Sequence, residues 1–192
     1  MQQTNPMAFK EWGVISRALT DGLQSIIIRK GGIHEGRDGF RVAHPEFWLF
    51  PTYLHESPDQ LVPEAAALLD QTLAERPTDG LHHLPGYAEV CDVYEVTELP
   101  KLLQLAGQHL WSADTLDQRF HYRQPGVFVL VTRIYRQPRP PAIPDSPHFA
   151  GCRSWVELPE ELPTAELVPV LSDAQFAEQR QAVARVLGTA SV

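Results

Sequence analysis

Apolar positions follow two periods along the chain, and each change of period marks a predicted element. Ala8, Phe9, Trp12, Ile15 and Leu19 recur at roughly helical spacing, and Asp21-Gly22 supplies a stop before the β-branched run Ile26-Ile27-Ile28. A helix leading into a strand is expected there. Gly31-Gly32 and the glycine-bearing EGRDGF end that strand in a loop, and Phe47-Trp48-Leu49-Phe50 forms a second apolar strand closed by Pro51. The two strands are expected to pair around the loop.

Further along, Pro63 suits the first turn of a helix whose face is Leu61, Ala65, Leu68, Leu69, Thr72 and Leu73, with Pro77 as its end. A polar connector from Thr78 to Gly86 precedes a strand over Tyr87 to Val96 and a short helix over Leu99 to Leu105. Val127 to Tyr135, bulky and β-branched, reads as a central strand buried on both faces. Five prolines between Pro138 and Pro147 predict an extended crossing without regular structure. Ser172 and Gln175 have the spacing of a capping box, and Phe176, Val183, Val186 and Leu187 mark one side of a final helix that Gly188 can end. No internal repeat is visible. The expected class is α+β: a mixed, largely antiparallel sheet with helices at the N-terminus, middle and C-terminus, in one domain over residues 1–192.

Composition agrees with an independently folding globular chain, at 43% hydrophobic and 21% charged residues. No apolar run nears the ~20 residues that span a bilayer, and the first residues lack the basic and apolar regions of a signal peptide. Cys91 and Cys152 are too few for a disulfide framework and lack C-x-x-C spacing, so free thiols in the cytoplasm are expected. The net charge of −8 argues against a surface coated for nucleic acid, yet charge is segregated. From Glu56 to Glu98 Arg76 faces ten acids, whereas Arg119 to Arg153 holds six arginines against Asp145 alone. The second stretch is a candidate anion-binding face.

Candidate chemistry concentrates between Arg29 and Glu56. Adjacent glycines after a strand let backbone N–H groups approach an anion, so Arg29, Lys30, Gly31 and Gly32 read either as a phosphate or carboxylate cradle or as a plain hairpin loop with solvated charges. His44 and Glu46, two apart, share a face in a strand. With Glu35, His55 and Glu56 they offer acid, base or divalent-metal chemistry, or else hydrogen-bonded structural groups. His82-His83 reads as solvated loop. Nuclease, Nudix, nucleophile-elbow, Walker, dinucleotide and zincin patterns are all missing, so no motif names a cofactor or resident metal. In the basic stretch Arg119, Arg123, Arg133, Arg136 and Arg139 alternate with Phe120, Tyr122, Phe128 and Tyr135. Such a mixture fits phosphate contacts and base stacking, or a solvated rim over a core strand.

Four blocks carry a family resemblance: AFKEW (Ala8 to Trp12), IIIRKGGIHEG (Ile26 to Gly36), HPEFWLFPTYLHE (His44 to Glu56) and GCRSWVEL (Gly151 to Leu158). Together they resemble the bacterial domain of unknown function 1802 over nearly the whole chain, with Glu56 standing where that pattern has an amide. The family brings no activity. The order of strands and covering helix also looks like the partly closed PUA-like barrels, including ASCH and EVE domains, which implies binding of RNA or modified bases. On that resemblance Cys152, Ser154 and Trp155 line a pocket with Arg29, Lys30, Thr52, Tyr53 and Arg133. Trp155 packed into the core is the plainer alternative. Three functions stay open: a nucleic-acid or nucleotide binding module with its pocket near RKGGIHEG, a metal-dependent hydrolase or nuclease using His44, Glu46 and His55 with Glu35, and a protein-interaction domain. The question that separates them is whether the glycine loop and the GCRSWVEL block meet.

Overall fold

The computed structural model describes residues 1–30, 43–151 and 153–190. Strand β1 (Thr4–Trp12) passes directly into helix α1 (Gly13–Thr20), and β2 (Ile26–Arg29) follows the turn at Asp21-Gly22. Then come β3 (Glu46–Thr52), α2 (Ala66–Ala74), β4 (Leu81–His83), β5 (Tyr87–Val96), α3 (Leu99–Leu103), α4 (Ala113–His121) and β6 (Val127–Arg136). The order ends with β7 (Ala142–Pro144), β8 (Trp155–Pro163), β9 (Val168–Pro169) and α5 (Asp173–Leu187). The class is the expected one, α+β with a largely antiparallel sheet.

The main sheet runs β2-β6-β5-β3-β1-β8, and β9 adds to β6. Only β1 and β3 are parallel; every other described pair is antiparallel. β5 takes one edge of β6 from Val127 to Tyr135, which leaves the other edge to β2 at Phe128 to Val131 and to β9 at Tyr135 and Arg136. A strand enclosed this way needs apolar residues on both faces, which accounts for the run VFVLV. Cys91 is the extra residue of a bulge in β5, between Val90 and Asp92. Pro6, which has no N–H to give a ladder, sits at the irregularity of β1 between Asn5 and Met7.

Three expectations need correction. The helix read from Ala8 begins only at Gly13, because β1 is an inner strand paired with β3 and β8. Burial on both faces removes the alternation that would have announced a strand. β2 and β3 do not pair: β2 joins β6, and β3 joins β1 and β5. Finally, the proline crossing and the His82-His83 connector form a two-stranded sheet, β4 with β7, in which His82 faces Ile143. Prolines are tolerated in so short an edge pairing because few ladder donors are required. The strand over Tyr87 to Val96, the helix at Leu99 and the final helix lie where expected. Ser172 Oγ accepts from Gln175 N at 3.3 Å, and Gln175 Oε1 accepts from Ser172 N at 3.0 Å. Gly188 ends α5 at φ 86°.

Two apolar clusters cover the two faces of β1 and β3 by alternation. Phe9, Phe47 and Leu49 point to the larger one with α1, α2 and α4, whereas Ala8, Trp48 and Phe50 point to the smaller one with Tyr87, Ile143 and Phe149. Phe9 is fully buried, its ring 5.1 Å from that of Phe47 and 4.7 Å from that of Trp155. Phe9→Ala is expected to destabilise the fold by about 3–5 kcal/mol, from lost burial plus the cavity left behind. Urea denaturation would show this as a lower midpoint with an unchanged slope.

Candidate functional site

The β1 block ends in an acid inside the protein. Glu11 is 3% exposed, and its Oε1 accepts the Trp12 N–H at 2.8 Å. A buried carboxylate needs a partner, and Arg29, the last residue of β2, provides it with Nη1 at 3.4 Å from Glu11 Oε2. The same guanidinium donates from Nη2 to Ser154 Oγ at 2.8 Å and lies over the Phe9 ring at 4.6 Å. Ser154 immediately precedes β8. Since β2 and β8 occupy the two ends of the strand order, Arg29 bridges the edges of a curled sheet.

Helix α4 brings a second guanidinium. Ser112 caps the helix through a bond from Thr115 N to its Oγ at 3.2 Å, and Arg119 in the last turn stacks over Trp111 at 3.5 Å from the ring centroid. Burial pulls the Arg119 pKa down to about 10; Glu11 pulls it back up and Arg29 pushes it further down. Among the described residues Glu11 forms its ion pair with Arg29, and Arg119 has none. Glu11 therefore has Arg29 as its ion-pair partner and Arg119 as a second cation acting on the same carboxylate. Trp111 also meets Trp12 edge to face at 4.8 Å.

The end of β3 closes another side. Thr52 Oγ1 donates to the Glu11 carbonyl at 3.2 Å, and the Tyr53 ring lies so near α1 that a Cβ on Gly13 would stand 2.6 Å from Tyr53 Cε1. Gly13 is therefore required by close approach. Glu56 Oε1 accepts the Val14 N–H at 3.0 Å, at the start of α1, while its buried Oε2 has no partner among the described residues. Burial raises the Glu56 pKa, the Glu11 charge adds to the rise, and the N–H groups of Val14 and Gly13 oppose it. Tyr53 is raised too, by burial and then by Glu56.

Of the residues read from sequence as binding groups, Arg29, Ser154 and Trp155 are brought together around Phe9, Thr52 reaches the Glu11 carbonyl, and Tyr53 lies against Gly13 of α1. Trp155 is packed rather than presented, against Phe9, Phe47 at 5.1 Å and His44 at 4.9 Å. Lys30 is occupied: its Nζ donates to the carbonyls of Phe120 at 2.8 Å and Gly126 at 2.6 Å and to that of Gln124. Arg133 lies elsewhere, on Asp173 at 2.5 Å and over Phe176 at 5.2 Å. Gly31, Gly32, Glu35 and Cys152 fall outside the described residues.

His44, Glu46 and His55, read from sequence as acid, base or metal groups, have separate surroundings. Glu46 accepts from Tyr87 Oη and Gln2 N, each at 2.8 Å, and pairs with the Met1 amino group at 3.4 Å. His44 lies on Trp155. His55 is exposed with φ 70°. Among the described residues no three such side chains are placed to hold a metal ion. His44 and Glu46 do not share a strand, because β3 begins only at Glu46, after Pro45. Sequence reasoning missed Glu11, Trp111 and His109. The usable signal was Glu11 itself, an acid inside an apolar block that needs a buried cation.

His109 supports Trp111 from behind, its Nδ1 accepting Trp111 N–H at 3.1 Å, which leaves the ring proton on the buried Nε2. Burial, with Arg119 nearby, lowers its pKa to about 4.

The family model for Domain of unknown function (DUF1802) matches residues 8–182, and the chain belongs to that family. No curated protein is significantly similar in sequence. Among solved structures, the ASCH protein of Zymomonas mobilis is similar with a TM-score of 0.45 and 10% identity, covering 91% of this chain and 93% of that one. Two single-residue variants of the same ASCH protein give TM-scores of 0.44 and 0.43, both at 11% identity. They cover 91% and 94% of this chain, and 96% and 98% of theirs.

Two predictions follow from the titrating groups. With the folded pKa of His109 below its unfolded value, stability is whole above about pH 6.5 and declines as pH falls toward 4. The loss is on the order of 3 kcal/mol, and denaturant titrations at neutral and acid pH should show a smaller loss in His109→Gln. Glu56 has the opposite sign, since its raised pKa means that ionisation as pH rises disfavours the fold. Glu56→Gln is therefore expected to melt at a higher temperature than the wild type at neutral pH, with the difference closing as pH falls below the ordinary carboxylate range.

Proposed function

We propose that the protein is a nucleic-acid or nucleotide binding module whose anion site is the pair Arg29 and Arg119. The observation that carries this reading is the guanidinium of Arg29, ion-paired with buried Glu11 yet partly exposed, with Arg119 beside it paired to no acid among the described residues. Glu11 and Ser154 orient the fork of Arg29, and Phe9 supports it from below. A guanidinium fixed this way has lost its rotamer freedom in advance and suits the planar, bidentate recognition of a phosphate. The Arg29 side chain is 21% exposed, enough for an anion to reach it.

A net charge of −8 opposes binding of a polyanion elsewhere on the surface, so the affinity is local to this site. Fluorescence anisotropy with labelled single-stranded RNA and DNA at low salt should give saturable binding that weakens as salt rises, with a slope of about 0.7 per phosphate contacted. Arg29→Ala and Arg119→Ala should each lower affinity about tenfold or more. Wild-type protein that binds neither nucleic acid nor nucleotide at low salt ends this reading.

A further inference from the structure

The turn after α4 is more highly organised than a solvated connection requires. Gly126 N donates to the Phe120 carbonyl at 3.1 Å, Gln124 N to that of Tyr122 at 2.9 Å, and Lys30 Nζ fastens three carbonyls of the same turn. Lys30 directly follows Arg29, so the turn is anchored to the strand end that carries the proposed anion site. On this fixed turn two groups face outward. Tyr122 is 56% exposed although the apolar residues before it, Leu116 and Phe120, are buried. Arg123 is held at φ 65° with its guanidinium 5.1 Å from the Tyr122 ring centroid. A left-handed arginine is strained, and such strain persists where the surroundings impose it.

Tyr122 follows Arg119 by three residues and donates its N–H to the Arg119 carbonyl at 3.3 Å. Side chains three apart at a helix end are neighbours on one face. An exposed aromatic ring and a cation therefore stand one helical step from Arg119. The nearest acid on that helix end, Asp117, is paired with His121 at 3.3 Å.

Resting on the binding function proposed above, we infer that the ligand is a single-stranded polynucleotide rather than a free nucleotide. One phosphate sits at Arg29 and Arg119, the adjoining base stacks on Tyr122, and the next phosphate meets Arg123. Stacking accepts any base, so this subsite adds affinity without sequence choice.

The test compares a uridine mononucleotide with oligouridylates of increasing length by isothermal titration calorimetry. Wild-type affinity should rise about tenfold as the first nucleotides are added. Tyr122→Ala should abolish that gain while leaving mononucleotide binding intact, and Tyr122→Phe should restore it. Arg123→Gly, which relieves the left-handed strain, should bind the oligonucleotides more weakly while melting no lower than the wild type. Equal affinity for all lengths, or an unchanged gain in Tyr122→Ala, overturns this inference and leaves the anion site standing, provided that Arg29→Ala still weakens mononucleotide binding. A wild type that binds no probe overturns both.

Discussion

One guanidinium holds the site and the sheet together. Arg29 leaves the end of β2, pairs with Glu11 of β1, lies on Phe9 and reaches Ser154 at the start of β8. β2 and β8 are the two ends of the strand order and share no described ladder. The sheet must therefore curl until its edges come within the length of one side chain, and what crosses the seam is polar. A closed barrel would satisfy those edges with backbone bonds. Here a charged side chain spans the gap and stays partly exposed, so the structural seam and the candidate site coincide.

The energetics of such a seam are asymmetric. Two charges taken out of water gain little net stability from each other, but removing one leaves the other unpaired in an apolar environment. Glu11 is the group at risk, since its surroundings include Trp12, Thr52 and the aromatic cluster below. Arg119 offsets this as a second cation near Glu11, supported by Trp111 instead of a carboxylate. His109 fits the same electrostatics: it stays neutral next to Arg119 and serves Trp111 as an acceptor. A protonated imidazole there would add a positive charge beside that of Arg119.

Much of the fold was legible because its signals were local. The capping box at Ser172, the β-branched runs at Ile26 and Val127 and the turn at Asp21-Gly22 act within a few residues, and each lies where its pattern placed it. What local pattern could not give was pairing. β1 was misread as helix because burial on both faces erases the period of two, and β2 was assigned to its neighbour in sequence although its ladder partner lies about a hundred residues on. The site was legible in the same proportion. Arg29, Ser154 and Trp155 stood in blocks read as functional, whereas the Glu11 partnership depends on β1 lying between β3 and β8. Arg133 belonged to the right stretch by charge but points to α5. Alternation along β6 sends neighbouring side chains to opposite faces, which composition does not register.

The adjacent cations Arg29 and Lys30 show how the chain divides the work between two chemistries. Lys30 is a point charge with three donors, and it is used as one, on three carbonyls of a turn that needs no particular plane. Arg29 is a planar fork, and its three contacts lie in three directions that only a delocalised, flat cation meets at once: a carboxylate, a hydroxyl and a ring face. Exchanging the two would preserve charge and lose both structures, because lysine cannot bridge Glu11 to Ser154 while stacking on Phe9, and arginine is too broad for the carbonyl clasp. The order arginine then lysine thus determines which side of β2 carries the seam and which carries the turn at Tyr122. Arg29 is the last residue of a four-residue strand and Lys30 the first beyond it, so the anion site and the proposed stacking subsite are held in register by a single peptide unit.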